Sequence, residues 1–151
     1  MKLIRQLSGL YVPVRTTVTF VAGTTGAVGQ HTLFTITGRV EVKLLSAFCT
    51  TDLAGATATI SVGTVTTVDA LIGLTTGTDI DLNDWWTAAA PAAGPKNVLE
   101  VVTGGGGASQ GKKLLHENIT YDVLTAALSA GTLVIDVLYR PISDDGLLVA
   151  A

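Results

Sequence analysis

The side chains best suited to chemistry are few: His31, His116 and one thiol, Cys49. Nucleophilic catalysis needs an imidazole that takes a proton from a nearby serine or cysteine, and a third group that orients the imidazole. Neither histidine stands in a recognisable pattern of that kind. A single cysteine excludes an intrachain disulfide and a cysteine-rich zinc site. The chain is therefore not expected to be an enzyme, and no catalytic, cofactor or metal residue is assigned.

Three runs imitate known binding loops and miss each at a defining position. Gly106-Gly107-Ala108-Ser109-Gln110-Gly111-Lys112 has the spacing of a phosphate-binding loop. That loop needs a Ser or Thr next, to hold magnesium, and the next residue is Lys113. It also needs a long helix behind it, and Lys113–Asn118 is too short for one. Gly23, Gly26 and Gly29 follow a strand-like stretch, but their spacing is G-x-x-G-x-x-G and no crossover helix follows. Asp79-Ile80-Asp81-Leu82-Asn83-Asp84 begins like a calcium loop. The sixth position should be Gly and is Asp84; the twelfth should be Glu and is Ala90. What remains is a looser calcium site, or a solvated acidic loop in which Asn83 or Asp84 starts a turn. Asn118-Ile119-Thr120 matches a glycosylation acceptor, which matters only in a secreted eukaryotic protein.

Trp85-Trp86 is the remaining candidate. Neighbouring residues on a strand point to opposite faces. One ring can enter the core while the other faces out, where it could stack on a sugar or fill a subunit contact. Both could also be buried within the domain.

The elements that must carry these residues are strands. Gly131–Arg140 puts Leu133, Ile135, Val137 and Tyr139 on one apolar face. Its other face mixes Thr132, Val134, Asp136, Leu138 and Arg140, which suits a strand covered on both sides. Across His31–Thr51, Phe34, Ile36, Gly38, Val40, Val42 and Leu44 alternate with Thr35, Thr37, Arg39, Glu41 and Lys43. The phase slips at Leu44-Leu45, where Leu45, Ala47 and Cys49 become the inner set, as at a β-bulge. Thr16–Ala22, Thr57–Val62, Val98–Val102 and Asn118–Leu124 read as further strands, and Thr67–Gly73 as one helical turn. No helix-period segment exceeds about ten residues. The pattern predicts an all-β sandwich or jelly roll of about seven or eight antiparallel strands, with at most one or two short helical turns. Residues 1–15 read as an extended N-terminal arm, in which Tyr11, Val12 and Pro13 could reach a neighbour, and residues 16–151 as one domain.

Composition bounds the partners. Of 151 residues, 48% are hydrophobic but only 14% are charged, against about 25% in an average domain. Mean hydropathy is +0.52, yet no apolar run approaches the ~18 residues of a membrane helix. A surface short of charge without a membrane suggests contact with other protein. The net charge of -3, without a basic block, argues against nucleic acid. No signal-peptide core survives Pro13 and Arg15. Reduced cytosol is the default compartment for assembly.

Phe34-Thr35-Ile36-Thr37-Gly38-Arg39-Val40-Glu41-Val42, Ile119-Thr120-Tyr121, and Val137-Leu138-Tyr139-Arg140-Pro141-Ile142-Ser143-Asp144-Asp145-Gly146 together resemble small structural proteins of tailed bacteriophages. The likeness spans Thr32–Gly146 in outline and is closest to capsid decoration, or cement, proteins. It implies a homotrimeric sandwich on the outer surface of the head, bridging major capsid subunits, in a virion assembled in the host cytoplasm. The interface candidates are then Tyr11, Val12, Pro13, Trp85 and Trp86. Arg140 is expected to fix the closing turn through Asp144 or Asp145. A glycan- or host-binding fibre module and a tail-tube or connector subunit are the alternatives.

Overall fold

A computed structural model of the chain describes residues 10–87 and 112–151. The expected strand Val98–Val102, the glycine run that precedes Lys112 and most of the expected arm lie outside the described residues. The architecture is an all-β sandwich of two antiparallel sheets. Its strands are β1 (Val12–Thr19), β2 (Gly29–Thr37), β3 (Val40–Ala54), β4 (Thr59–Thr64), β5 (Ile72–Thr76), β6 (Trp85–Trp86), β7 (Lys113–Leu115), β8 (Ile119–Leu124), β9 (Ala130–Pro141) and β10 (Leu147–Ala150). Sheet A runs β1-β9-β3-β6, with β7 on the same side of β3 as a second short partner; sheet B runs β10-β2-β8-β4-β5.

The core lies between the sheets and follows the alternation of the strands. Leu133, Ile135, Val137 and Tyr139 are all buried, as the period of β9 requires. Opposite them sheet B supplies Phe34, Ile36, Ile60, Val62, Ile119, Tyr121 and Val123. β9 is the spine of sheet A, paired along one side with β1 and along the other with β3. The expected slip at Leu44-Leu45 is present: the β3–β9 register shifts between Val42 and Leu44, and Leu45, Ala47 and Cys49 are buried beyond it.

Four expectations are corrected. The alternation over His31–Thr51 is two strands, because the chain leaves sheet B for sheet A at Gly38-Arg39. Gly38 adopts φ 64°, and a Cβ there would sit 2.4 Å from Asp145 Oδ1. The reverse crossing, from β9 to β10, docks on this corner. Ile142 N and Ser143 N donate to Arg39 O at 2.9 and 3.2 Å, and Arg39 N donates to Ser143 Oγ at 2.7 Å. Secondly, Val12–Arg15 belong to β1 and not to an arm, each paired with a residue of β9. Thirdly, the segment after Thr67 makes a tight turn and then β5; the 3-10 turn is Gly77–Asp79. Fourthly, ten strands are present among the described residues, because short pairings such as β6 and β7 carry too few residues to show a period.

Candidate functional site

Strand register fixes what sheet A shows to the outside. Inward Val18, Cys49, Ile135 and Trp86 leave the intervening residues facing out. Thr17, Val134, Phe48 and Trp85 are successive cross-strand partners and form one row across the four strands. The next row is Arg15, Asp136 and Ser46, and the third is Pro13, Leu138 and Leu44. A fourth row holds Arg140, Glu41 and Leu114, with Tyr11 beside them. Apolar and charged rows thus alternate along the strands.

Each charged row is neutralised within the chain. Arg15 donates twice to Asp136, Nε to Oδ1 at 2.7 Å and Nη2 to Oδ2 at 3.1 Å. Glu41 is only 6% exposed. It accepts from the Tyr11 hydroxyl and from Arg140 Nη2 at 3.0 Å, with Lys112 Nζ 3.9 Å away. The Tyr11 hydrogen bond first, and then Arg140, hold the Glu41 carboxyl below the usual carboxylate range, against the opposing effect of burial. The Tyr11 ring also lies under Lys43 Nζ and the Arg140 guanidinium, 5.1 and 5.7 Å from its centroid. Lys43 reaches the outer face because it is the extra residue of the bulge before Leu44.

The interface candidates separate by side. Tyr11, Pro13 and Trp85 lie on this outer face. Trp85 leans on Phe48, with ring centroids 4.8 Å apart and planes tilted by 52°. Val12 faces inward against the core, and Trp86 is wholly buried, so neither is a surface contact. Trp86 Nε1 donates to Thr75 Oγ1 at 2.8 Å and ties β6 of one sheet to β5 of the other. Arg140 does not hold Asp144 or Asp145. Its partner is Glu41, directly opposite it on β3, while Ser143 and the Arg39 backbone fix the closing turn. Sequence reasoning did not single out Glu41, Leu44 and Phe48 as surface features. The signal was the bulge: once Leu45, Ala47 and Cys49 turn inward, Leu44, Ser46 and Phe48 must turn outward.

The remaining candidates resolve into structural roles. His31 stacks on Tyr121, with centroids 4.7 Å apart, and its Nε2 lies 2.9 Å from Ala27 O. The Tyr121 hydroxyl donates to Thr25 O at 2.7 Å, and burial raises its pKa to about 12. These two rings pin the Gly23–Gly29 turn to the core. His116 lies at the surface, 3.9 Å from Glu117. Cys49 is buried, and burial pushes its thiol up to about 11, which keeps it protonated. In the acidic run, Asp84 Oδ2 accepts from Asp81 N at 3.1 Å and Asn83 takes φ 70°, so these residues form a turn. No group of three or more His, Cys, Asp or Glu suited to a metal occurs among the described residues. Asn118 Oδ1 accepts from Ile36 N at 2.9 Å, which ties the start of β8 to β2. No family model, curated protein or solved structure matches this chain.

Proposed function

We propose that this protein is a structural component of a tailed-phage virion, a decoration protein that binds the outer surface of the head and stabilises it by protein–protein contact. The observation that carries the reading is the outer face of sheet A. Leu44, Phe48, Val134, Leu138 and Trp85 occupy one side of a sheet, and no described element packs on it. Arg15 with Asp136 and Arg140 with Glu41 are already paired within the chain, so covering them with protein leaves no bare ion in either pair. A chain with 14% charged residues fits a molecule that works by contact area and not by chemistry. Many copies, each with modest contacts, would add strength by multivalency against internal pressure. Major capsid subunits are the partners this reading requires.

The test is electron microscopy of the particle with an antibody raised against the purified chain. Regular labelling of the head surface is expected, together with binding of added protein to heads that lack it. Labelling of the tail alone, or failure to bind such heads, overturns the reading. Trp85 on the outer face supports the second reading, in which its ring stacks on a host glycan. That reading requires a shift in tryptophan fluorescence on adding sugars and fails if no sugar moves it.

A further inference from the structure

The order of residue types on the outer face of sheet A has a symmetry. Place a two-fold axis in the plane of that face, running along the strands between β9 and β3. The axis turns a second copy over onto the first and keeps each cross-strand row opposite itself. Val134 then meets the other copy's Phe48, and Leu138 meets its Leu44. Trp85, on the far side of β3, meets Thr17 on the far side of β9. Leu114 meets Tyr11 in the same way. The charged rows also match. Glu41 and Arg140 are direct partners across β3 and β9, so each would face the opposite charge on the second copy. Asp136 would face Ser46, a hydroxyl donor, because these two are also direct partners. An axis across the strands along the Arg15–Asp136 row would instead set Arg15 against Arg15 and Asp136 against Asp136.

We infer that this face is a self-complementary, isologous interface, and that a second copy of the same chain covers it. The inference rests on the reading that sheet A meets protein; a second copy takes this face, and a head is then bound through another surface of the pair. Face-to-face sheets pack at about 10 Å with strands within roughly 30° of each other, which an axis close to the strand direction allows. Four strands spaced by about 4.8 Å, and four rows spaced by about 6.8 Å, give a flat footprint on the order of 500 Å² per copy. The two copies together reach about 1,000 Å², the lower bound for a specific interface. A trimeric ring, as the sequence resemblance implies, would have to use other surfaces.

Sedimentation equilibrium of the full chain at micromolar concentration tests the inference. The wild type is expected at twice the 15.5 kDa chain mass, and Leu138→Glu at the chain mass with an unchanged circular dichroism spectrum. Cross-linking tests the axis. Phe48→Cys chains mixed with Val134→Cys chains are expected to form a disulfide-linked pair under mild oxidation, while Phe48→Cys alone forms none. Buried Cys49 stays out of the reaction. A monomeric wild type, or an oligomer indifferent to Leu138→Glu, overturns the inference. So does Phe48→Cys linking to itself as readily as to Val134→Cys. The two proposals fail separately: a monomer that still binds heads removes the dimer alone, and a dimer that binds no head removes the virion role alone.

Discussion

Sheet B turns Thr35, Thr37, Thr59 and Thr76 to the outside, whereas sheet A turns out Leu44, Phe48, Val134 and Leu138. The two faces meet the solvent differently. Threonine hydroxyls give sheet B hydrogen-bonding groups without ions. Where sheet B carries buried polar residues, the chain covers them itself: the segment from Val65 to Ala70 folds back over β4, and Ser61 Oγ donates to Val68 O at 2.9 Å. Gln30 Nε2 holds this segment from β2 through Val65 O at 3.1 Å, and Glu117 holds it through Thr66 N and Oγ1. Leu147 and Val149 on edge strand β10, and Leu74 on the opposite edge strand β5, are the exposed large apolar side chains among the described strand residues of sheet B. On sheet A no described element plays that covering part.

The sharpest probe of this difference is the tryptophan pair, because adjacent residues of β6 point to opposite sides. Trp86→Ala removes a fully buried ring and its bond to Thr75, so a loss of about 3–5 kcal/mol in unfolding free energy is expected. Trp85→Ala removes an outward ring that touches Phe48, and about 1 kcal/mol or less is expected for the isolated chain. Association should show the reverse order, with Trp85→Ala weakening self-association among variants that remain folded. Urea unfolding and sedimentation of both variants decide it. Equal stability losses would mean that sheet A is covered within its own chain, like sheet B.

Gly63 probes the covered face. A Cβ at this position would lie 2.1 Å from Thr67 O and 2.4 Å from the Val68 carbonyl carbon. Both are backbone atoms, so neither can swing aside. Gly63→Ala should therefore lift the covering segment from β4 and cost about 1–3 kcal/mol. Self-association through sheet A should be untouched. A Gly63→Ala chain as stable as the wild type would show that the segment is loosely held, and the contrast between the faces would weaken.

Much of this arrangement was legible in the sequence because period two survives wherever one face is buried. The inner face of β9 and the slip in β3 could both be read from residue order. The break at Gly38 could not, for a specific reason. Gly38, Val40 and Val42 keep the parity of Phe34 and Ile36, so the chain changes sheets without changing phase. The corner is made by contacts from the far end of the chain, such as Arg39 N to Ser143 Oγ across 104 positions. Arg140 illustrates the same limit. Asp144 and Asp145 are near it in sequence, but its partner Glu41 is 99 positions away and opposite it in the sheet. Local order cannot choose between a near carboxylate and a registered one; strand pairing does.

Glu41 makes sheet A sensitive to acid in a way that sheet B's threonines cannot be. Its folded-state pKa is depressed from the ordinary value of 4.5. The stabilisation it brings is therefore fully present above about pH 4.5 and is lost as pH falls through the depressed value. Glu41→Gln keeps the shape but removes the ion. Melting temperatures measured against pH should show the variant below the wild type at neutral pH, with the gap closing in acid. A gap that stays constant down to low pH would assign the cost to packing around Tyr11 and Arg140 and not to the carboxylate.

The smallest expected effect is on sheet B, at Thr35 and Thr37. Both side chains are exposed on the outer face of β2, beside Val149 and Leu147 of the edge strand. Thr35→Val exchanges a hydroxyl for a methyl of similar volume at a site where water satisfies the hydroxyl. Stability should move by no more than about 0.5 kcal/mol. If threonine serves only to solvate the sheet, one valine leaves self-association unchanged, whereas Thr35→Val with Thr37→Val creates a four-residue apolar patch with Leu147 and Val149. That double variant should begin to associate through sheet B, in a manner that Leu138→Glu on sheet A does not reverse. Light scattering of the double variant with and without Leu138→Glu measures this. A double variant that behaves as the wild type would show that the threonines are not what keeps sheet B from binding, and that its folded-over segment does so alone.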